Sequence, residues 1–349
     1  MKILVTGHTG YIGSVLAARL QKAGHEVLGF DSGFYATCRL GNPPAEVTTI
    51  NKDIRDAEES DLTGVEAVIH LAALSNDPLG ELTPNLTEDI NYKSTVKLAE
   101  LSKKAGVERF VFASTQSIYG ISNLDEELDE DLSEKNPLTT YAKTKWSAEI
   151  AVRKMATDDF VVVCFRPSTI FGVSPYQRCD IVFNNFVGSA LTSGKIMIKS
   201  DGTPWRPVLH IQDACQAFEA GIYAPKEVIN GKAYNAGPIA GNYSVRQLAE
   251  AAMDSVPGST LEFTGEHGAD SRTYKVGFKK IHKELGDYFN PRWTLSMGAH
   301  EMVEHWKKIN FTAEDFLGPK CNRLTQLKVL RSANVIGDDL RYVKPQVNV

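Results

Sequence analysis

Thr6-Gly7-His8-Thr9-Gly10-Tyr11-Ile12-Gly13 is the stretch on which the fold turns. Before it, Lys2-Ile3-Leu4-Val5 is an apolar, β-branched run of strand length. After it, apolar residues recur at helical spacing across residues 12–23. A strand, a glycine turn and a helix in that order have a physical use. Gly7 lets the chain turn sharply, Gly10 lets backbone approach a diphosphate, and Gly13 lets helix and strand pack closely. The free amides and the dipole at the helix start then face negative charge. Asp31 closes the second strand, 18 residues past Gly13. There its carboxylate accepts from an adenosine ribose and repels a 2′-phosphate. NAD is therefore the expected cofactor, with Arg39 near enough to keep NADP open. Asp53-Ile54, after the third strand, reads as an adenine contact or as a plain loop cap.

Outward from that turn, strands expected at 2–6, 26–30, 47–51, 67–71, 109–113 and 161–165 alternate with helices at 12–23, 90–105 and 140–155. Such alternation argues for an α/β fold with a parallel sheet covered on both faces. Continuous apolar strands such as Ala67-Val68-Ile69-His70-Leu71 suit that burial. Past Pro167 the rhythm loosens into Gly-, Pro- and Ser-rich loops. The expected architecture is a Rossmann-type doubly wound parallel sheet carrying a smaller, mixed α/β lobe over its carboxyl edge, where open sheets bind ligands. Residues 1–168 with 207–237 are assigned to a dinucleotide-binding domain, 169–206 with 238–318 to the second lobe, and 319–349 to a tail of open role.

Composition agrees with a globular protein of about two domains. Among 349 residues, 42% are hydrophobic and 23% charged, which excludes a disordered chain, a fibre or a disulfide-stapled miniprotein. The formal net charge of −5 leaves no basic excess for a nucleic acid backbone. No apolar run approaches the ~20 residues of a membrane helix, and five scattered cysteines fit a reducing compartment. A cytoplasmic location is expected, with no nucleic acid and no membrane as partner. The acidic stretch 125–134, with seven carboxylates, reads as a solvated loop. His300 and His305 imitate a zinc motif, but at five apart they diverge on a helix; Met302 and Trp306 are expected to face inward.

The chemistry is concentrated in Tyr141-Ala142-Lys143-Thr144-Lys145. Tyr141 and Lys145 are four apart and share one helix face. A phenol of pKa about 10 is a poor base at neutral pH, but an ammonium and an oxidised nicotinamide beside it favour the phenolate. Such a Tyr can take or return a hydroxyl proton. Alone, an exposed Tyr/Lys face is the plainer reading. Ala113-Ser114-Thr115-Gln116-Ser117-Ile118-Tyr119-Gly120, after the fifth strand, tips the balance by placing a hydroxyl at the same sheet edge.

In combination these motifs resemble the extended short-chain dehydrogenases/reductases of the NAD-dependent epimerase/dehydratase group, whose members act on nucleotide sugars. The resemblance runs from Met1 to about Trp306. It implies that Thr115, Tyr141 and Lys145 are catalytic and that Thr115 also meets substrate. It implies too that Lys145 holds the nicotinamide ribose, and that Leu71-Ala72-Ala73 and Asn91 lie with Tyr11, Ile12 and the glycines around the cofactor. In the second lobe Thr169 stands where Asn is common, Asn185 is the expected diphosphate contact, and Arg206 and Arg272 match a diphosphate clamp. Ser114, Tyr119, residues 175–180 and the final tail are expected to shape the sugar pocket. A homodimer through the helices at 90–105 and 140–155 is also implied.

After Thr115, the family's 4,6-dehydratases carry an Asp-Glu pair. Here Gln116 and Ser117 cannot serve as carboxylate acid or base. The favoured expectation is an NAD-dependent nucleotide-sugar 4-epimerase. A net 4-oxidoreductase is the close alternative, a 4,6-dehydratase the weaker one, and a non-catalytic dinucleotide binder the distant one.

Overall fold

The computed structural model describes residues 1–41, 44, 46–122, 124, 126–264 and 273–343. Its strands are β1 Lys2–Thr6, β2 Glu26–Asp31, β3 Thr48–Asn51, β4 Ala67–His70, β5 Arg109–Ala113 and β6 Val161–Pro167. Then follow β7 Thr169–Phe171, β8 Lys195–Ile198, β9 Trp205–His210, β10 Lys232–Ala236, β11 Asn242–Ser244 and β12 Thr260–Phe263. Seven of them form one sheet in the order β10-β6-β5-β4-β1-β2-β3, with every pairing parallel. This is a Rossmann-type doubly wound sheet.

The sheet is buried on both faces because its strands are apolar at consecutive positions. Ile3 and Val5 join Leu16, Leu20, Val111, Val163, Ala214 and Phe218 under the helices Tyr11–Lys22 and Ile211–Tyr223. Leu4 and Val68 point the other way, into a core with Leu98, Phe110, Phe112, Ala148 and Val152 under the helices Ser94–Lys104 and Thr140–Arg153. Period-two alternation thus feeds two cores. Each fully buried Leu, Val or Phe contributes about 1.5–3 kcal/mol relative to exposure.

All six expected strands form. β10, beside β6, was not anticipated as a strand, although its residues fall in the segment assigned to this unit. The helix expected from residue 90 starts regular α geometry at Ser94, after a wider turn over Asp89–Lys93. In the smaller lobe β9 lies between β7, which it pairs in parallel, and β11, antiparallel to it; β8 pairs β12. The helices Val182–Ser193, Val245–Ser255 and Leu295–Lys308 close a third core with Phe183, Leu248, Met302 and Trp306. Met302 and Trp306 face inward as expected, and Glu301 pairs with His210 at 2.9 Å. No helix among the described residues is long and apolar enough to cross a membrane.

Strand order reverses between β1 and β4. At that switch point the loops after both strands splay apart and leave a crevice at the carboxyl edge.

Candidate active site

A cavity of about 650 Å³ opens along this edge. Gly7, Gly10, Tyr11, Ile12, Gly13, Asp31, Asp53, Ile54, Leu71, Ala72, Ala73, Thr115, Tyr141, Lys145, Thr169 and Arg206 all line it. The glycine turn has steric causes. Gly7 sits at φ +70°, and a Cβ there would lie 3.0 Å from the Ala72 nitrogen. A Cβ on Gly13 would lie 2.2 Å from the Gly7 carbonyl oxygen, so helix and turn could not close. Gly10 precedes the helix Tyr11–Lys22 without a capping side chain, and the first turn has no acidic residue.

Around the turn, side chains fix backbone. Thr6 Oγ1 accepts from the Leu71 and Ala72 amides, each at 3.1 Å, and bonds His70 Nδ1. Asp31 accepts from the Thr9 and Gly33 amides at 3.1 and 2.8 Å, leaving lone pairs on both oxygens. Asp53 lines the cavity; it also caps the turn Ile54–Asp56 and holds Arg55. Asn91 does not line the cavity. Its fully buried amide is taken up by the Leu74 backbone, N–H and C=O, at 2.8 and 3.1 Å.

Tyr141 and Lys145 lie on the helix Thr140–Arg153, whose start is fixed by Thr139 accepting from the Ala142 amide. Gly80 packs so closely that a Cβ on it would meet that of Tyr141 at 2.9 Å. Burial pushes the Tyr141 phenol up to about 12, while the Thr115 hydroxyl and the Arg178 guanidinium draw it down. Lys145 is 3% exposed, and its Nζ sits 4.3 Å from the centre of the Phe112 ring. Burial drops the ammonium to about 7, against the pull of the Glu149 carboxylate one turn on. His70, pushed down to about 3 by burial and then by Lys145, stays neutral.

The unfolded chain holds the Lys145 proton up to its usual 10.5, and the folded chain only to about 7. Between those values the unfolded state binds more protons, so this group's contribution to stability rises with pH. Lys145→Met is expected to raise the thermal midpoint of cofactor-free protein at pH 6–7 and to abolish turnover. The gain should shrink as pH climbs toward 10; a gain independent of pH would show that the buried charge is not its cause.

Behind the Tyr141 wall lies a buried polar network. Arg166 and Glu149 pair at 2.6 and 3.0 Å, both side chains fully buried. Ser114 Oγ donates to Glu149 at 2.6 Å, Arg166 donates to the Tyr119 hydroxyl, and that hydroxyl reaches Asn235. Tyr119 therefore belongs to the network; it does not shape the pocket. Ser114 lines the cavity. Glu130, from the acidic stretch read as solvated, is buried and accepts from the Asn235 amide at 2.7 Å, its carboxyl raised by burial. Gln116 also lines the cavity. Its Nε2 donates to the Arg166 carbonyl at 2.9 Å, and its Oε1 is buried with no partner among the described residues.

In the second lobe the expectations divide. Asn185 does not line the cavity; it donates to the Cys179 carbonyl at 3.0 Å. Asn184 ties Tyr11 to Arg178 and Gly172. Arg272 lies outside the described residues. Two further cavity arginines come from stretches expected at the pocket, 175–180 and the tail, although neither residue was singled out in the sequence. Arg178 grips Asp180 at 2.8 and 3.0 Å and reaches Ser75; Arg-x-Asp in a loop was the available signal. Arg323 comes from the tail, where no motif marks this residue.

Residues 3–237 match the NAD dependent epimerase/dehydratase family. The chain belongs to that family. It is an enzyme of the extended short-chain dehydrogenase/reductase type, as its motifs suggested. The UDP-glucose 4-epimerase of Bacillus subtilis is 29% identical over 341 residues, covering 88% of this chain and 96% of its own. The UDP-glucuronic acid 4-epimerase from Bacillus cereus, solved with UDP-glucuronic acid and NAD, superimposes with a TM-score of 0.74 at 25% identity. It covers 88% of this chain and 100% of its own. The dTDP-glucose 4,6-dehydratase from Streptomyces venezuelae, with NAD bound, gives 0.76 at 26%, covering 90% and 100%. Epimerases and a dehydratase stand equally far away, so site chemistry has to separate them.

Proposed function

We propose that the protein is an NAD-dependent nucleotide-sugar 4-epimerase. The residues present fit the dinucleotide: an uncapped helix start free of carboxylates, a glycine turn with no room for a Cβ, and the Asp31 carboxylate at the end of β2. Gly10, Tyr11, Ile12 and Gly13 would hold the diphosphate, Asp31 the adenosine ribose, Asp53 and Ile54 the adenine, and Leu71, Ala72 and Ala73 would border it. When bound, NAD supplies a hydride acceptor for sugar C4 and the means of returning that hydride.

The chain's own groups handle the proton and the position. Tyr141 takes the proton from the C4 hydroxyl and later gives it back, while Thr115 donates toward the reacting oxygen. Lys145 favours the Tyr141 phenolate and holds a ribose hydroxyl. Thr169 and Arg206 contact the nucleotide sugar, and a 4-keto sugar that turns about its diphosphate accepts hydride on the other face.

One observation carries the choice of epimerase: the residues after Thr115 that line the cavity are Gln116 and Ser117, without a carboxylate. Two other carboxylates that line the cavity are engaged. Asp180 is gripped by Arg178, and Asp77 accepts from Thr139. Eliminating water needs an acid and a base that these positions do not offer.

The test is a panel of UDP-, dTDP- and GDP-sugars incubated with the purified enzyme, products read by NMR. A C4 epimer formed without added NAD supports the proposal. Stoichiometric NADH would assign a net oxidoreductase, and a 4-keto-6-deoxy product a dehydratase.

A further inference from the structure

The segment that follows the second lobe returns to the dinucleotide side of the molecule. Its helix Arg323–Ser332 starts at the cavity, where Asn322, Arg323 and Leu324 are lining residues beside Phe34, Tyr35 and Asp31. Gln326 fastens it by donating to the Phe34 carbonyl at 3.0 Å and to Thr37 at 3.2 Å. Farther along, Arg55 donates to the Asp339 carbonyl at 2.8 Å and Arg341 pairs with Asp56. Leu327, Ile336 and Leu340 sink into the same core as Leu4 and Phe34. The segment thus spans from the loop after β2 to the turn after β3, the two edges of the adenosine half of the cavity.

At its inner end Arg323 is 2% exposed. The Nη2 donates to the Tyr176 carbonyl at 2.7 Å, and the guanidinium lies 4.5 Å from the centre of the Tyr35 ring. Nη1 is buried and finds no partner among the described residues. A buried guanidinium is expected to have all its forks engaged, and this one has an idle donor beside a cavity. One further feature points to a negative ligand. The first turn of the helix bears no acidic side chain, so its positive dipole end faces the same space.

We propose that residues 319–343 form a strap that completes the dinucleotide site, and that Arg323 Nη1 donates to a diphosphate oxygen of NAD. This rests on the NAD reading above. It adds a contact from a segment that lies outside the family match at 3–237. The strap closes the adenosine half, so release of the cofactor requires the helix Arg323–Ser332 to lift.

The experiment measures dissociation constants and off-rates for NAD on cofactor-stripped enzyme, with ADP, adenosine, NADP and UDP as separate ligands. Arg323→Leu should weaken NAD and ADP by about 10- to 100-fold and leave adenosine and UDP within about twofold, a charge-assisted phosphate contact being lost. Arg323→Lys should recover part of the loss. Gln326→Ala, which never touches the cavity, should speed NAD release and serves if Arg323→Leu does not fold. Wild-type protein that binds no NAD would sink the functional reading itself. Wild-type protein that binds NAD while Arg323→Leu matches it would overturn the strap alone. Loss of UDP binding instead would assign Arg323 to the substrate, and NADP preferred by wild type would assign Nη1 to a 2′-phosphate; either result overturns the proposal.

Discussion

Replacing Tyr141 with Phe should lower turnover by about 10²- to 10⁴-fold, the usual span for losing a positioned acid–base group, while bound NAD is retained. The substitution removes one oxygen from a ring whose place is set by the Thr139-capped helix and by Gly80 packed against its Cβ. The cavity keeps its shape, so substrate affinity should change little and kcat should carry the loss. Because burial holds the empty-site phenol near 12, the wild-type enzyme depends on the Lys145 ammonium and the bound cofactor to make phenolate available. Its turnover should therefore vary with pH in both directions, the phenol gaining and the Lys145 ammonium losing its active form as pH rises, and the variant's residual rate should lose the limb that belongs to the phenol. Steady-state kinetics from pH 5.5 to 9.5 read both; unchanged turnover in Tyr141→Phe would refute the assignment of the base.

The other large effect is on stability. Glu149→Ala leaves the Arg166 guanidinium fully buried without its carboxylate, and breaking one side of such a pair costs about 3–5 kcal/mol. The pair supports the site from behind. Ser114 loses its acceptor, and Lys145 loses the carboxylate that pulls its ammonium up. Denaturant unfolding should show the loss with an unchanged dependence on denaturant, and Glu149→Gln, which keeps an acceptor oxygen, should fall between. Chemical stability within about 1 kcal/mol of wild type in Glu149→Ala would mean that the network is not structural.

Much of this was legible in the sequence, for reasons of different strength. The Thr6–Gly13 stretch was readable because its glycines answer to hard sterics: φ +70° with a 3.0 Å contact strains any other residue at Gly7, and a 2.2 Å clash bars a Cβ at Gly13. Tyr141 and Lys145 were readable because helical spacing is a local property. β10 was missed because Lys-Ala-Tyr-Asn-Ala lacks the β-branched signature, and its strand state comes from pairing with β6. Asn91 and Asn185 were assigned to ligands when their amides hold backbone, since residue type does not say which polar group a side chain meets after folding. Glu130 was read as solvated because its neighbours are; its burial depends on Asn235, 105 residues away. The tail was expected at the pocket, but which of its residues reach the cavity was opaque for the same reason. Leu327, Ile336 and Leu340 are too sparse to announce a core contact, and Arg323 meets the cavity only through long-range packing.

The most direct test of the account is isotopic. A nucleotide sugar accepted by the enzyme, deuterated at C4, should yield a C4 epimer with the deuterium still on C4, because the same hydride leaves and returns. Deuterium found at C6, lost to water, or left in place on an unconverted sugar would contradict it.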